Sequence, residues 1–365
     1  MTKVLLPIIL IMLGMGAIGV YLTTTYAAYK GSEKCQSCHP KIYTDFTKTG
    51  HAHIVHKVEK ATPPRMPFSS VPTPPEGYTW EDITYVLGGY GWKARFLDRK
   101  GYLITGKKAQ YNLATKEWGA YYPEQRAGTK PYDCAECHTT GWRTLEESNG
   151  VHQDGLEGIA GVWAAPGIQC ERCHGEGKEH IVSGGDQSKI EKNPSAELCG
   201  GCHYLDGRPR IEVEEGLIQS DQYDELRNSP HGMLTCVVCH DPHKSTRYHL
   251  GGVKTSTCTA CHADQTIRIP EMADLSCTSC HMPLAAKSAV STGPGGVLGD
   301  MHSHIFKLNT DPDARMFSED GKFVLLDGAG HAILKVEFTC RSCHNGQVAR
   351  RRSVDWMYKN AGRIH

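Results

Sequence analysis

The chain has no charge of either sign to spare: 40 Lys and Arg stand against 40 Asp and Glu in 365 residues. That balance offers no basic surface for a nucleic-acid backbone, and no nucleic-acid partner is expected. After the N-terminus it has no second apolar run of membrane-spanning length. It also has no cysteine left over, because all 16 fall into C-x-x-C pairs. No C-x-x-C stands without a histidine after it. A thioredoxin-like redox pair does not need that histidine, and neither does a zinc ribbon built from two C-x-x-C knuckles.

What is present is one pattern repeated eight times. The pairs are Cys35/Cys38, Cys134/Cys137, Cys170/Cys173, Cys199/Cys202, Cys236/Cys239, Cys258/Cys261, Cys277/Cys280 and Cys340/Cys343. The histidines directly after them are His39, His138, His174, His203, His240, His262, His281 and His344. C-x-x-C-H is the covalent attachment motif of c-type haem: two thioethers hold the macrocycle and the histidine becomes the proximal iron ligand. Eight haem c groups are therefore expected. Eight such groups add roughly −8 of charge when oxidised and about −16 when reduced, so the holoprotein should be acidic. Arg172, Lys178, Arg341 and the run Arg350, Arg351, Arg352 are candidates to pair with propionates.

The N-terminus reads as an export signal. Lys3 precedes an uncharged, mostly apolar run from Val4 to about Leu22, and Thr25 and Ala27 form a small-x-small cleavage site. Residues 1–27 are thus a signal peptide or, if uncleaved, an N-terminal membrane anchor. The protein is expected to be exported, whether periplasmic, membrane-anchored and facing outward, or extracellular.

Once residues 1–27 are removed, roughly 42 residues remain per motif, too few for eight separate side-chain cores. The expected fold is a haem-cored multihaem cytochrome of short helices and irregular loops. Residues 28–60 form a first haem segment and 61–130 a proline-rich connector and β meander. Residues 131–285 form a haem-dense core carrying motifs two to seven, and 286–365 a C-terminal segment with the eighth. Within the second region, Thr79 and Asp82 read as a capping pair for a short helix over 79–87. Aromatic and β-branched runs over 92–123 predict a small antiparallel β insertion. Turn signals at Asp320-Gly321 and Asp327–Gly330 predict a β-hairpin over 317–338, and the tail is expected to be helical, ending at Gly362.

Of 20 histidines, 12 lie outside the motifs. His51, His53, His56, His152, His180, His231, His243, His249, His302, His304 and His331 are candidates for distal iron ligands, and His365 is the twelfth. Spacing restricts two of them. His243 follows His240 by three residues, and a span of at most ~3.5 Å per residue makes the detour round a macrocycle rim too short. It should therefore serve a neighbouring site, as should His180, six residues after His174.

The phrases CQSCHPKIYTDFTKTGHA, CERCHGEGKEH and CTSCHMP resemble haem segments of the multihaem cytochrome superfamily, which includes nitrite reductase, hydroxylamine oxidoreductase and tetrahaem electron-transfer proteins. All eight motifs end in histidine, so the C-x-x-C-K of the nitrite reductases is absent, and the chain is shorter than the octahaem enzymes. A looser similarity of plan connects it with small surface cytochromes that polymerise into conductive filaments. The resemblance implies electron transfer along eight haems, in respiratory or extracellular electron transfer, as a single chain or a homopolymer. Redox proteins or quinol-linked donors are the implied partners. The alternative is an octahaem oxidoreductase acting on a small nitrogen or sulfur compound at one open haem.

Overall fold

A computed structural model describes residues 26–204, 210–219, 221–254, 257–293 and 296–365. Nearly all of the leader expected over residues 1–27 lies outside them. Among the described residues no helix is long and apolar enough to cross a membrane. The chain divides into two compact units, one running to Asn193 and including Asp241–Gly252, the other made of Pro194–His240 and Val253–His365.

In the first unit, short helices α1 (Ser32–Gln36) and α2 (Pro40–Phe46) precede a five-stranded sheet. The strands are β1 (Val55–Lys57), β2 (Tyr85–Gly88), β3 (Lys93–Leu97), β4 (Gly106–Asn112) and β5 (Glu117–Tyr121), and each pairs antiparallel with the next. The meander expected over 92–123 is thus extended by β1 and β2. Gly88 makes the β2–β3 turn possible: its φ is +74°, and a Cβ there would lie 2.4 Å from the Lys93 carbonyl oxygen.

Alternation along the strands gives the sheet two apolar faces. Val86, Ala94, Phe96, Ile104 and Ala109 fill one. Val55, Tyr85, Leu87, Leu97 and Leu103 fill the other, packed with Tyr132, Ala135, Ile159 and Trp163. Ala135 begins helix α3 (Ala135–His138), so the second face backs the second C-x-x-C-H directly. Thr79 and Asp82 do form a reciprocal capping box, but on a single 3₁₀ turn, Trp80–Asp82. The helix expected to continue to residue 87 gives way because the β-branched and aromatic run after Asp82 enters β2, where strand pairing and burial outweigh helix propagation.

The rest of this unit holds β6 (Thr139–Thr140) paired with β7 (Ala165–Pro166), then α4 (Cys170–His174) and α5 (Lys178–Val182). In the second unit α6 (Ala196–Gly200) leads into a three-stranded sheet. Its strands are β8 (Val213–Glu214), β9 (Leu217–Gln219) and β10 (Ala286–Lys287). Helices α7 (Gln222–Arg227), α8 (Cys236–Cys239), α9 (Thr257–Cys261) and α10 (Cys277–His281) lie between β9 and β10 in sequence. Ile211, Ile218, Ala285, Ile305 and Leu334 form the main apolar cluster. Over 317–338 the antiparallel contacts are the single bridges Phe317–Val324 and Leu326–Ala332. The regular pairing here is parallel, between β11 (Leu308–Asn309) and β12 (Leu334–Lys335). Helix α11 (Val336–Cys343) carries the last motif, and α12 (Val354–Ala361), capped by Ser353, ends at Gly362.

Candidate metal centres

Each motif is built on a helical turn. The amide of the histidine bonds the carbonyl of the first cysteine in His39→Cys35 (2.9 Å), His203→Cys199 (2.9 Å), His240→Cys236 (2.9 Å), His262→Cys258 (2.8 Å) and His344→Cys340 (2.7 Å). The motifs at Cys170 and Cys277 lie wholly inside α4 and α10. One helical turn places residues i, i+3 and i+4 on the same face. Two sulfurs and an imidazole therefore point the same way, as attachment to one macrocycle requires. All 16 cysteines are free thiols in this fold. Among the described residues no three or more His, Cys, Asp or Glu side chains converge as they do round a zinc ion.

The second cysteines are held less uniformly than the repeated spacing implies. Cys173 is half-buried and stays inside α4. Cys38 and Cys202 instead fall just beyond the ends of α1 and α6. Their amides bond the carbonyls three residues back, Cys38→Cys35 (3.3 Å) and Cys202→Cys199 (3.1 Å), so a tightened turn replaces the last helical one. Cys38 is exposed, with its Sγ 3.9 Å from Ser37 Oγ, and Cys202 is half-buried. As free thiols, Cys38, Cys173 and Cys202 carry no thioether in this fold, so the haem bond expected of each remains a proposal for the holoprotein.

The motif histidines meet other histidines across a characteristic gap. His39 faces His180 with ring centres 6.4 Å apart and planes 15° from parallel. His174 faces His243 at 6.1 Å and 4°, and His281 faces His365 at 5.8 Å and 24°. His240 and His304 are 6.1 Å apart at 37°, and His231 and His262 5.9 Å apart at 88°. A metal–imidazole bond of about 2 Å, with the ring centre ~1.1 Å behind the nitrogen, separates two trans imidazole centres by about 6 Å. The residues present therefore fit a haem iron held between each pair.

Hydrogen bonds at Nδ1 orient several of these rings. Nδ1 donates to a backbone carbonyl in His174 (to Glu191, 2.7 Å), His180 (to Asp186, 2.9 Å), His281 (to Phe306, 3.0 Å), His344 (to Arg350, 3.1 Å) and His365 (to Thr266, 3.1 Å). That bond fixes the tautomer and leaves the Nε2 lone pair for a metal. His152 is set up in the same way by Ile159 and His302 by Met282. Burial pushes the pKa of His304 down to about 3 and that of His138 down to about 4, so both stay neutral.

Other candidates are placed differently. The Nε2 of His53 bonds the Thr47 carbonyl and its Nδ1 meets His56 Nε2 at 3.3 Å, so both nitrogens are engaged inside the protein. Burial lowers the pKa of both rings, that of His56 to about 4. His51 begins the 3₁₀ turn that includes His53, and its carbonyl accepts from Ile168 N. His249 adopts φ +53°, and His331 is tied to Asp327 through its amide. His365, the one non-motif histidine not taken forward as a distal candidate, is the ring set against His281. The signal that could have found it is the capped tail helix, whose end at Gly362 lets the terminus turn back.

Within each unit the motifs are bound to one another. In the first, Cys35 and Cys170 share a side-chain hydrogen bond. Ser32 Oγ donates to Gln169 Oε1 (2.8 Å) and accepts from Cys170 N (3.2 Å). Thr140 Oγ1 accepts from Gln169 N (2.8 Å) and donates to the Gly167 carbonyl (2.9 Å), tying the second motif to the third. Thr140→Val keeps the shape and strands two buried backbone groups, so it should lower unfolding free energy by about 1–3 kcal/mol in a denaturant titration of the holoprotein.

In the second unit, Cys199 bonds Cys236 and Cys258 bonds Cys277, while Cys239 neighbours Cys258 and Cys280 neighbours Cys343. Motifs four to eight thus form an unbroken series. Buried Glu225 positions His304, since its Oε2 accepts from His304 N (2.6 Å) and Ser303 Oγ (2.5 Å). Burial pushes its pKa up to about 8, so it is protonated at neutral pH. Glu225→Gln should therefore hold stability within about 1 kcal/mol at pH 7, whereas Glu225→Ala should cost about 2–4 kcal/mol in the same measurement.

The sequence model for outer membrane cytochrome MtrC/MtrF-like proteins, domains II/IV, matches residues 20–250. The multihaem cytochrome MtrA of Shewanella baltica (strain OS185) is 26% identical over 165 residues, 41% of this chain and 45% of that protein. The match therefore spans less than half the length of this curated relative. Among solved structures, the outer cell wall cytochrome OcwA superposes with a TM-score of 0.55 at 21% identity, covering 91% of this chain and 86% of OcwA. The octaheme sulfite reductase MccA of Wolinella succinogenes gives a TM-score of 0.63 at 17% identity, covering 91% of this chain and 70% of MccA. At these identities the two structures establish a shared fold.

Proposed function

The chain belongs to the outer membrane cytochrome MtrC/MtrF-like family, domains II/IV, and from that premise we propose that it is an exported electron carrier with one haem c on each of its eight C-x-x-C-H motifs. The observation that carries this reading is the set of five histidine pairs with ring centres 5.8–6.4 Å apart. They assign His180, His243, His304, His231 and His365 as the distal ligands opposite His39, His174, His240, His262 and His281. His152 and His302, with Nδ1 tied back and Nε2 available, are further ligands by the same logic.

Bound haem supplies a one-electron ferric/ferrous couple. The protein sets its neighbours, ligands and solvent access. Imidazoles kept neutral by burial are already in the ligating state, so iron binding displaces no proton from them. Contact between cysteines of successive motifs brings macrocycle edges close, and tunnelling rates depend most steeply on that separation. Large apolar side chains beside the motifs support the assignment. Met233 is 96% exposed, Val182 69% and Val348 71%. Each lies within a few residues of a motif cysteine or a paired histidine, where a porphyrin face would cover it. Intact mass of the purified holoprotein, with peptide mapping, tests the count. Eight haem additions, one per C-x-x-C, are expected, with Cys38, Cys173 and Cys202 each modified together with the first cysteine of its pair. An unmodified C-x-x-C peptide would remove that motif from the chain.

A further inference from the structure

The second motif is surrounded differently from the five with paired imidazoles. Among the described residues no second histidine ring contacts His138, and the charged side chains acting on it are Arg95 and Lys93, from β3. Arg95 also acts on Cys134, as does Lys130, so the cations flank both the imidazole and the thiol side of the motif. Arg95 is held in place: its Nε donates to Gln110 Oε1 (2.9 Å), and its guanidinium carbon lies 3.7 Å from the centre of the Tyr121 ring. Lys130 Nζ lies 4.1 Å from the centre of the Tyr122 ring. Asp133 is the acidic neighbour, and its Oδ1 accepts from Cys134 Sγ at 3.4 Å.

Tyr132 adds an independent observation. It is fully buried, its hydroxyl has no hydrogen-bond partner, and its nearest titratable neighbours include Cys134, Cys137 and Tyr121. A buried unpaired hydroxyl costs about 1–3 kcal/mol, so a donor in this position calls for an acceptor.

We propose that the Cys134–His138 centre binds a small oxyanion, of the nitrite or sulfite class, at the iron position trans to His138. Arg95 and Lys93 supply the neutralising charge and Tyr132 a hydrogen bond. A fixed guanidinium offers a planar fork that matches an oxyanion, and the low dielectric around the sheet strengthens the attraction. This inference rests on the reading of Cys134–His138 as a haem site.

The test uses oxidised full-length holoprotein. Haem on the Cys134–Cys137 peptide is first verified by mass, and the protein is then titrated with sodium nitrite and with sodium sulfite, followed by optical difference spectra and low-temperature electron paramagnetic resonance. One high-spin ferric signal that changes saturably with either anion is expected. Arg95→Gln and Lys93→Gln, made separately, should each weaken the apparent dissociation constant by about tenfold or more without changing the haem count. Absence of haem on that peptide would sink the haem reading of this motif, and the inference with it. Haem present but low-spin and indifferent to both anions would overturn the inference alone, and a high-spin signal gained on His152→Ala would identify His152 as the ligand responsible. Unchanged anion affinity in both variants, with a shifted midpoint potential, would assign the cations to propionates and likewise overturn it.

Discussion

Glu171→Ala is expected to lower the unfolding free energy by about 3–5 kcal/mol and to disturb the first and third motifs together. Glu171 sits inside CERCH, yet its side chain is only 5% exposed and serves distant backbone. Its oxygens accept from Lys30 N (2.8 and 3.1 Å), Gly31 N (2.9 Å) and Gly177 N (2.8 Å). Lys30 and Gly31 lead into α1, which carries Cys35. Gly177 caps α5, which carries His180. Truncation strands three backbone donors that chain packing holds away from water, at about 1–3 kcal/mol each less whatever hydration recovers. Glu171→Gln keeps an accepting oxygen but turns an amide toward donors, and should cost about half as much. Denaturant midpoints monitored by Soret absorbance and by far-ultraviolet circular dichroism would check the order wild type, Gln, Ala.

His180→Ala and His243→Ala should each convert one low-spin iron to high spin without loss of haem from the protein. The thioethers retain the macrocycle whatever the distal side chain. His180 opposes His39, and His243 opposes His174, so the two variants affect different centres. Their spectral changes should therefore add in the double variant. Imidazole in the buffer should restore the low-spin spectrum, because the cavity left by alanine has the shape of the ligand removed. An unchanged spectrum in either variant would reject that pairing.

The repeated motif was readable because its chemistry is local: five residues and one helical turn carry the attachment geometry. How each turn ends was not readable, since Cys173 keeps a helical place while Cys38 and Cys202 lie past their helices. The sheet was readable for a related reason. Turn residues and period-two burial are local signals, and they recovered β3 to β5. The strands added by the fold, β1 and β2, depend on pairing with distant chain, and residues 83–87 in isolation suit either a helix or a strand. Ligand pairing was less legible. The rim argument excludes His240 as the site served by His243 but does not select His174, since the selection is made by tertiary structure. His365 lay far from any motif in sequence and reaches His281 only after α11 and α12 have packed through Val336, Met357 and Tyr358. Glu171 and Glu225 looked like ordinary surface acids. Their roles come from backbone amides brought to them by the fold, and no spacing rule encodes that.

The two apolar faces of the sheet also explain how a haem-dense chain can keep a conventional core in one place. Most motifs rest on helices of four or five residues, too short to be stable alone in water. Packing against Tyr132, Ala135 and Trp163 fixes the second motif from behind. The others are tied mainly by hydrogen bonds, by neighbouring motifs and, in the holoprotein, by the macrocycles themselves. Regular structure is accordingly concentrated where side chains alone supply the buried surface.

The most direct test of the account is low-temperature electron paramagnetic resonance of the oxidised holoprotein, with spins quantified against haem counted on the same sample. The account predicts eight haems, at least five of them low-spin ferric centres with two imidazole ligands, and a high-spin signal from the Cys134–His138 centre. Fewer than five low-spin centres in a fully haem-loaded protein would contradict the pairing of motif histidines with distal imidazoles on which the electron-transfer reading rests.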